Sequence, residues 1–324
     1  MDVASRVLVV NAGSSSLKLS VLEGDEVVAS PGDLDELGGL GIDVAGHRIV
    51  HGGDEFHEPV LIDERVRRRL DALTDLAPLH QPKSLRALDA VTAVLPDVPA
   101  VACFDTAFHA TIPAAATTYA IPREWRRRWP LRRFGFHGLS HAYIARQLTG
   151  RRRIVSCHLG AGASLCAILD GRSVDTTMGF TPLEGLVMAT RSGSIDPGLV
   201  LWLEEHVGMP PSELAATLER RSGLLGLAGS ADMRAILEAE AAGDEDAALA
   251  VGVYVHRLRA SVCAMAAALG GVDAIAFTGG VGENAAAIRE RALQGLDFLG
   301  DPEVHVIPAR EDLEIAHQVR ATLP

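Results

Sequence analysis

The chain contains two copies of one strand–turn–strand pattern, and this repeat restricts its fold more than any other feature. Residues 7–24 begin with a continuous apolar run, pass through a turn rich in Gly and Ser, and continue as a strand with alternating apolar residues. Residues 154–171 repeat this order without a gap, so that Asn11 matches His158 and Gly13 matches Gly160. Because the copies lie roughly half a chain apart in 324 residues, they predict two similar α/β lobes that each open with a hairpin.

Helical and strand patterns alternate in the rest of the chain. Apolar residues at three-to-four spacing predict helices at 63–76, 82–95, 212–220, 231–269 (with a break near Gly243), 283–293 and 310–321. Short apolar runs predict strands at 98–104, 274–277 and 304–307. No low-complexity linker separates the halves, so we expect the two lobes to flank a cleft.

The composition argues against several classes of protein. A net charge of −12 is unfavourable for binding nucleic acid or an anionic membrane, because phosphate neutralisation requires clustered Lys and Arg. No stretch offers the roughly 20 uninterrupted apolar residues of a membrane helix, and the N-terminus shows no pattern of a signal peptide. The four cysteines lack CxxC spacing, which favours reduced thiols in a cytoplasmic protein.

Three turns are candidates for binding phosphate groups. The segment 11–18 combines backbone N–H groups, three hydroxyls and the ammonium of Lys18, although an ordinary polar hairpin is the alternative. The turn 158–162 and the segment 279–284, which precedes a predicted helix, are the other two. Gly-rich loops at helix N-termini expose free N–H groups to anions. Together the three turns favour nucleotide phosphates held between the lobes.

Two arginines and several other polar residues are further candidates. Arg48 lies in a strand that ends at two glycines, and Arg191 lies in a loop before a predicted helix. Each alone is typical of a surface ion pair, but together they could hold a carboxylate and a transferring phosphoryl group. Asp105 and His137 lie in aromatic segments punctuated by glycine, where an isolated histidine is usually a packed core residue. His137 and His141 have the spacing of a zinc pair, but the glutamate of HExxH is missing, so we do not predict zinc.

Nine segments, all in family order, resemble the acetate kinase family. They are VNAGSSSLK, GHRIVHGG, LAPLHQP, FDTAFH, FGFHGLSH, CHLGAGAS, TMGFTPLEGLVMATRSGSIDPG, SGLLGLAGSADMR and FTGGVGEN, and the resemblance runs from Val7 to about His317. It implies the α/β fold of the actin- and hexokinase-like ATPases, in which two duplicated ribonuclease-H-like lobes flank a nucleotide cleft. Residues 1–108 with 313–324 would form a shortened first lobe for substrate and phosphate, and residues 109–312 a second lobe for nucleotide binding and dimerisation.

The resemblance also implies roles for individual residues. The catalytic residues would be Asp105, His137 and Arg191, and the acid would bind at Arg48, Val50, Leu79, Phe136 and Pro182. The nucleotide and its phosphates would contact Ser14, Ser16, Lys18, His158, Gly160, Gly162, Asp232, Arg234, Gly280, Gly282, Glu283 and Asn284, with His80 lining the same cleft. Asn11 and Glu311 would hold Mg²⁺, ATP would be the co-substrate, and the protein would be a cytoplasmic homodimer that binds neither nucleic acid nor membrane.

The implied reaction converts acetate and ATP reversibly into acetyl phosphate and ADP by direct in-line phosphoryl transfer, aligned by Mg²⁺, two arginines and a histidine. A short-chain carboxylate has a pKa of roughly 4.3 and is ionised at neutral pH, so the reaction needs no general base. We therefore expect Asp105 to position other groups. A propionate or butyrate kinase and a nucleotide-binding regulator with reduced turnover are the alternatives.

Three departures from the family pattern bear on this interpretation, one of which is that Arg310 precedes Glu311 where the family has Asn. Ala161 and Ala163 stand where the family has polar residues, so we expect weaker ATP binding. The segment between Gly24 and His47 is shorter than in the family, which trims the first lobe.

Overall fold

The computed structural model describes residues 6–12, 17–78 and 80–323. The strands of these residues are β1 (Arg6–Ala12), β2 (Leu17–Glu23), β3 (Glu26–Ala29), β4 (Val44–Ile49), β5 (Val60–Leu61), β6 (Ala100–Phe104), β7 (Arg153–Leu159), β8 (Ala163–Leu169), β9 (Arg172–Thr176), β10 (Ala274–Thr278) and β11 (Glu303–Val306). The helices are α1 (Glu64–Ala72), α2 (Gln81–Val94), α3 (Ala114–Thr117), α4 (Arg123–Arg128), α5 (Gly138–Gln147), α6 (Pro197–Trp202), α7 (Pro211–Arg220), α8 (Gly223–Ala228), α9 (Met233–Ala241), α10 (Glu245–Leu269), α11 (Gly279–Asn284), α12 (Ala286–Leu293) and α13 (Glu311–Thr322).

Backbone contacts divide the chain into two units. Unit 1 comprises Met1–Ala110, Phe136–Tyr143 and Arg310–Pro324, and unit 2 comprises Thr111–Gly135 and Ile144–Ala309. The predicted roles of the two lobes and the predicted cleft between them stay predictions.

The sheet of unit 1 places the ends of three parallel strands side by side. Its strand order within the described residues is β3-β2-β1-β4-β6-β5, with β1 antiparallel to β2 and parallel to β4, and β4 parallel to β6. Side chains of a strand alternate between its two faces. Accordingly Val7 and Val9 pack with α13 on one face, whereas Leu8 and Val10 pack with Val91 of α2 on the other.

A glycine sets the distance between α13 and this sheet. A Cβ atom at Gly46 of β4 would lie 2.6 Å from a methyl carbon of Val319 and 2.7 Å from one of Ile315, both of which belong to α13. The helix therefore packs directly on the β4 backbone. Glu311 is the first residue of this helix, four positions before Ile315.

The sheet of unit 2 repeats the arrangement of the first. Its strand order is β11-β10-β7-β8-β9, with β7 antiparallel to β8 and parallel to β10, which is itself parallel to β11. Each hairpin is followed along the chain by an edge strand, β3 in unit 1 and β9 in unit 2. Starting from these edge strands, the order β9-β8-β7-β10-β11 corresponds to β3-β2-β1-β4-β6. The long helix α10 packs on β7 and β8 through residues such as Tyr254, Leu258 and Val262. It begins after Asp244, whose carboxylate accepts from the Ala247 N–H, and it ends at Gly270 with φ of 67°.

Most predicted elements are confirmed, and one is wrong at its start. A single helix was predicted over 283–293 behind a Gly-rich loop, but residues 279–284 form α11 and α12 begins only after Ala285. The Gly279 N–H donates to the Glu283 carboxylate (3.0 Å), which closes the first turn of α11. In the described part of the chain, no helix combines the length and the apolar character needed to cross a membrane.

Candidate active site

Four polar residues of unit 1 meet where its parallel strands end. Asn11 lies near the end of β1, Arg48 lies near the end of β4, and Asp105 directly follows β6. Glu311 is the first residue of α13. Ligands of α/β proteins bind outside the carboxyl ends of the strands, so this position is typical of a site.

Hydrogen bonds connect the four residues into one cluster, which we call the strand-end cluster. Arg48 donates through Nε and Nη2 to the Asp105 carboxylate, with the Nη2–Oδ2 distance 2.6 Å. Its Nη1 donates to Oδ1 of Asn11 (3.1 Å) and lies 3.7 Å from Oε2 of Glu311. The Asn11 amide in turn donates to Glu311 (2.9 Å). The guanidinium is therefore held by all three partners.

Burial and charge act in opposite directions on this cluster. Burial disfavours the charged form of Arg48, but the Asp105 and Glu311 carboxylates outweigh it and raise the Arg48 pKa above its ordinary value. Burial also raises the pKa of Asp105, an effect that Arg48 opposes and Glu311 reinforces.

The structure brings the backbone of His137 next to Asp105. The Gly138 N–H donates to the Asp105 carbonyl (2.8 Å), and a Cβ atom at Gly138 would lie 2.2 Å from that oxygen. His137 itself has a φ of 57°, in the left-handed region that non-glycine residues rarely adopt. Its neighbour Phe136 is buried, with its carbonyl 3.0 Å from Nε2 of His109. Strain of this kind persists where surrounding contacts enforce it, and it is common at functional sites.

The other residues predicted for unit 1 have the following positions. Val50 is buried and directly follows β4, and His80 immediately precedes α2. Lys18 is exposed at the start of β2, where it pairs in register with Asn11. The predictions for Ser14, Ser16 and Leu79 fall outside the described residues.

Unit 2 contains a cavity of about 930 Å³ that five of the predicted nucleotide-binding residues line. They are Gly160, Asp232, Arg234, Gly280 and Asn284. Gly160 comes from the β7–β8 turn, Asp232 and Arg234 from the start of α9, and the other two from α11. Ala161 also lines the cavity, whereas Ala163 is buried in β8 and does not line it.

The remaining predicted nucleotide residues of unit 2 do not line this cavity. Glu283 accepts from the Gly279 N–H and from the Ala309 N–H (2.9 Å), so its carboxylate joins two backbone segments. The Gly162 carbonyl accepts from the Gly160 N–H (3.0 Å), which closes the turn. Gly282 is buried in α11. His158 lies in β7 near Gly160, where a Cβ atom would be 3.4 Å from the His158 Nε2.

Arg191 and Pro182 lie in the irregular segment between β9 and α6. The Arg191 Nη1 donates to the Pro182 carbonyl (3.1 Å). Among the described residues, no carboxylate is within ion-pair distance of Arg191. Burial lowers its pKa, and the negative charge of Glu219 opposes this effect. Arg48 belongs to unit 1 and Arg191 to unit 2, and their predicted pairing stays a prediction.

The sequence analysis missed the apolar wall of the cavity. Met233, Leu237 and Ala241 line it from α9, together with Leu224 and Tyr254 from two other helices. The i, i+4, i+8 spacing of the α9 residues was visible in the sequence and is typical of one helix face.

The similarity of this chain to known sequences agrees with these observations. Residues 36–315 match the Acetokinase family. The acetate kinase of Clavibacter sepedonicus is 50% identical over 303 aligned residues, which cover 84% of this chain and 76% of that protein. The chain belongs to the acetokinase family. The acetate kinase of Geobacillus kaustophilus is 40% identical over 389 aligned positions, with 97% of this chain and 98% of that protein covered. Those 389 positions exceed the 324 residues of this chain, so this relative has additional residues within the aligned region.

Solved structures of family members match along nearly the whole chain. The acetate kinase of Porphyromonas gingivalis has a TM-score of 0.91 and 34% identity, covering 99% of this chain and 100% of that chain. A propionate kinase from Francisella tularensis has a TM-score of 0.90 and 33% identity, and the match covers 97% of this chain and 98% of that chain. A ROK family protein from Streptococcus pneumoniae, with a TM-score of 0.51 and 10% identity, shares the fold alone and covers 98% of both chains. The predicted family and the predicted actin/hexokinase-like fold class are confirmed.

Proposed function

We propose that this protein transfers the γ-phosphoryl group of ATP to the carboxylate oxygen of a short-chain acid, with acetate as the first candidate. The products are acetyl phosphate and ADP, and the reaction is reversible. The observation that carries the proposal is the strand-end cluster, in which Arg48 contacts Asp105, Asn11 and Glu311 within a chain of the acetokinase family. Relatives named acetate kinase, up to 50% identical, support the choice of acid.

The attacking group is the carboxylate of the acid. One of its oxygens forms a bond to the γ-phosphorus with its own electron pair, the bond from that phosphorus to the bridging oxygen breaks, and ADP leaves with the electron pair of that bond. No proton is transferred, since the acid has a pKa of roughly 4.3 and is already ionised. Asp105 therefore has no proton to remove. Its contacts with Arg48 support a positioning role instead.

Two cations would stabilise the charge that spreads over the transferring group. Arginine remains charged at every relevant pH and presents planar N–H donors, which suits a phosphoryl group or a carboxylate. Arg191 has no carboxylate partner in the described part of the chain, so its remaining donors are open to a bound anion. Arg48 would orient the acid, and His137 would donate to an equatorial oxygen. Alignment and charge stabilisation account for most catalysis in this class of reaction.

The donor set of unit 1 fits Mg²⁺. The cluster offers the amide oxygen of Asn11 and the carboxylate of Glu311, and hard oxygen ligands are what Mg²⁺ prefers. We propose that these two residues hold the ion together with water and substrate phosphates. When bound, Mg²⁺ neutralises negative charge on the phosphate oxygens.

The cavity of unit 2 is our proposed nucleotide site. The Gly160 turn and the N-terminal turn of α11 bring main-chain groups to its edge, and Asp232 with Arg234 lies at the start of α9. The apolar wall formed by α9 suits a nucleobase. Since Ala161 contributes only a methyl group there, we expect weaker ATP binding than a polar side chain at this position would give.

One assay separates this proposal from its alternatives. Hydroxylamine traps an acyl phosphate as a hydroxamate, so the protein would be incubated with ATP, Mg²⁺ and a series of acids. Product with acetate supports the proposal. Preference for propionate or butyrate would identify a longer-chain acid kinase, which the match to a propionate kinase structure keeps open. Product with none of the acids, while ATP still binds, would identify a nucleotide-binding regulator.

We also propose a cytoplasmic homodimer. Leu199, Leu201, Trp202 and Val207 are each about half exposed and follow one another closely in unit 2, which is typical of a surface covered by a partner. Free thiols support a reducing compartment. The net charge of −12 argues against nucleic acid and membrane as partners.

A further inference from the structure

The segment between β9 and α6 has an irregular backbone that is nevertheless packed in place. Residues 177–196 contain no helix or strand, yet they carry Pro182 and Arg191. Met178 and Met188 within the segment are fully buried. Buried backbone groups outside helices and sheets need other hydrogen-bond partners. The conformation of this segment, which we call the arginine loop, therefore depends on hydrogen bonds from outside it, both from backbone groups such as the Phe134 N–H and from side chains.

Arg133 binds the beginning of the arginine loop. Its Nη1 lies 3.1, 3.1 and 3.0 Å from the carbonyl oxygens of Thr176, Thr177 and Met178. Its Nη2 donates to Oε1 of Glu184 at 2.7 Å. The Arg133 guanidinium thus binds three successive carbonyls and also a carboxylate further along the same loop. Such charge-assisted bonds are roughly twice as strong as neutral ones.

Tyr119 also binds the Glu184 carboxylate, and it binds the backbone of Phe180, which lies between Met178 and Glu184. Its hydroxyl donates to Oε2 of Glu184 (2.5 Å) and accepts from the Phe180 N–H (2.9 Å). A Cβ atom at Gly179 would lie 1.6 Å from Oε2 of Glu184 and 2.2 Å from the Tyr119 oxygen, so this position has no room for a side chain. Burial, reinforced by the bond to Glu184, raises the pKa of Tyr119 to about 12. The hydroxyl therefore remains a donor at neutral pH.

These contacts lead directly to the proposed acid-binding residues. Pro182 lies between Phe180 and Glu184, both of which are bound by the network, and its carbonyl accepts from Arg191 (3.1 Å). The far end of the loop is held separately, because the Ala189 N–H donates to the Ala161 carbonyl beside the cavity (3.1 Å). Displacement of the network would move Pro182, and with it the carbonyl that binds the Arg191 guanidinium, more than it would move the residues of the cavity.

We propose that Tyr119, Glu184 and Arg133 are positioning residues that set Pro182 and Arg191 and thereby decide which acids the enzyme accepts. This inference rests on the proposed function, since it assigns the acid to Pro182 and Arg191. The network, none of whose three residues lines the cavity of unit 2, is not assigned a contact with the acid. It acts through the backbone of the arginine loop.

Tyr119→Phe tests the inference, because it removes one hydroxyl and little volume. The KM for acetate rises about tenfold and the KM for ATP stays within about twofold, since a lost hydrogen bond of this strength is worth about one decade. The ratio of kcat/KM for acetate to that for butyrate falls by about the same factor, as the loosened loop admits the longer acid. Backbone amides of residues 178–185 exchange hydrogen faster than in the wild type.

Glu184→Gln is the second variant, and it keeps the shape of the side chain. It leaves the Tyr119 hydroxyl without its carboxylate acceptor, so its changes in KM and in acid preference have the same direction as those of Tyr119→Phe. In the double variant the two effects are not additive, because both act through one network.

Asp273→Asn is the matched control. It weakens another short arginine–carboxylate pair of unit 2, in which Nη2 of Arg153 lies 2.5 Å from Oδ1 of Asp273. The control leaves acid preference and exchange in the arginine loop as in the wild type, even if it lowers the melting temperature. Active variants with unchanged acid preference would overturn the inference and leave the proposed function intact. A wild-type protein that is inactive with every acid would overturn both the inference and the proposed function. If Tyr119→Phe then still showed faster hydrogen exchange in the arginine loop, the network would have a purely structural role.

Discussion

Arg48 and Asp105 form a bidentate ion pair across two neighbouring parallel strands, with the Arg48 Nη2 2.6 Å from Oδ2 of Asp105. The backbone supports the same pairing, because the Asp105 N–H donates to the carbonyl of Ile49 (3.0 Å), the residue after Arg48. Both oxygens of this buried carboxylate thus face a guanidinium. In the proposed reaction, the pair orients Arg48 toward the acid.

Replacing Asp105 by Asn tests whether this carboxylate positions Arg48 or removes a proton. Asp105→Asn lowers kcat by about 10²-fold, since a misdirected donor no longer stabilises the transition state fully. The remaining kcat of this variant does not change between about pH 6 and about pH 8, because the acid substrate is ionised throughout this range. The measurement is a pH profile of acyl hydroxamate formation.

Asp89→Asn is the control for this variant. Asp89 forms a bidentate pair with Arg67 at the surface of the same unit, with both distances 2.8 Å, and its loss leaves kcat unchanged. A residual rate of Asp105→Asn that titrates near neutral pH, with ATP and acid affinities intact, would favour a general base and contradict the positioning role.

Arg191 gives a prediction in which activity and stability change in different directions. Burying a cation without a carboxylate partner is unfavourable, and such residues are retained for function. Arg191→Met therefore lowers kcat by about 10²- to 10³-fold, while the free energy of unfolding stays equal or rises. Kinetics and urea denaturation of the same preparation provide the check. A loss of both activity and stability would assign Arg191 to the fold rather than to catalysis.

Gly46 links the packing of α13 to the proposed metal site. In Gly46→Ala, the new methyl group would meet Val319 and Ile315 at under 3 Å, so α13 must shift. Overpacking of this kind costs roughly 1–3 kcal/mol of stability. Because α13 begins at Glu311, we also expect a higher Mg²⁺ concentration for half-maximal activity.

A second glycine of unit 1 is the control for that prediction. Nothing lies within 4 Å of a Cβ at Gly38, and Gly38→Ala leaves both the melting temperature and the Mg²⁺ dependence almost unchanged. An unaltered Mg²⁺ dependence in a destabilised Gly46→Ala would separate α13 packing from metal binding and refute the link.

The sequence predicted those parts of the fold that short-range patterns encode. Alternating apolar residues identify a hairpin locally, so both copies of the repeat could be found, and the order β3-β2-β1-β4-β6 recurs in unit 2. Arg48 was a candidate because it lies in a strand that ends at two glycines, and Asp105 because it lies in an aromatic segment punctuated by glycine, whereas the role of Asn11 came from the resemblance to the family. Their contact with Glu311, which is 300 positions from Asn11, has no local pattern. The position of Glu311 depends on α13 packing over Gly46.

Two parts of the site could not be predicted for related reasons. Glu184 meets Tyr119 and Arg133 from 65 and 51 positions away, and no periodicity connects residues at such distances. Glu283 follows a Gly-rich segment and was predicted to contact nucleotide, but that segment forms a helix whose first N–H the Glu283 carboxylate binds. The sequence shows the glycines of this segment, but it does not show the hydrogen bond between the Gly279 N–H and the Glu283 carboxylate.

A buried histidine predicts how stability depends on pH. His47 in β4 is fully buried, neither ring nitrogen has a partner among the described residues, and burial lowers its pKa to about 4. In the unfolded chain the pKa is about 6.5, so below that pH the unfolded state binds a proton that the folded state does not. The contribution of His47 to the free energy of unfolding is therefore complete above about pH 6.5. About 3 kcal/mol of it is lost as the pH falls toward 4.

Removing the imidazole isolates that contribution. His47→Leu makes the free energy of unfolding less dependent on pH between about 4 and about 6.5, as measured by urea denaturation at a series of pH values. His57→Leu, which changes an exposed histidine, is the control and leaves the dependence as it is. A pH dependence equal in wild type and His47→Leu would show that His47 is not buried in its neutral form.

The most direct test of the proposed chemistry follows an oxygen atom from the acid to phosphorus. Acetate labelled with oxygen-18 would be incubated with ATP, Mg²⁺ and the protein, and the product examined by phosphorus NMR. Attack of the carboxylate on the γ-phosphorus predicts acetyl phosphate in which a labelled oxygen is bonded to phosphorus, formed together with ADP. Acetyl phosphate without label on phosphorus, or no acyl phosphate from any short-chain acid, would contradict the account.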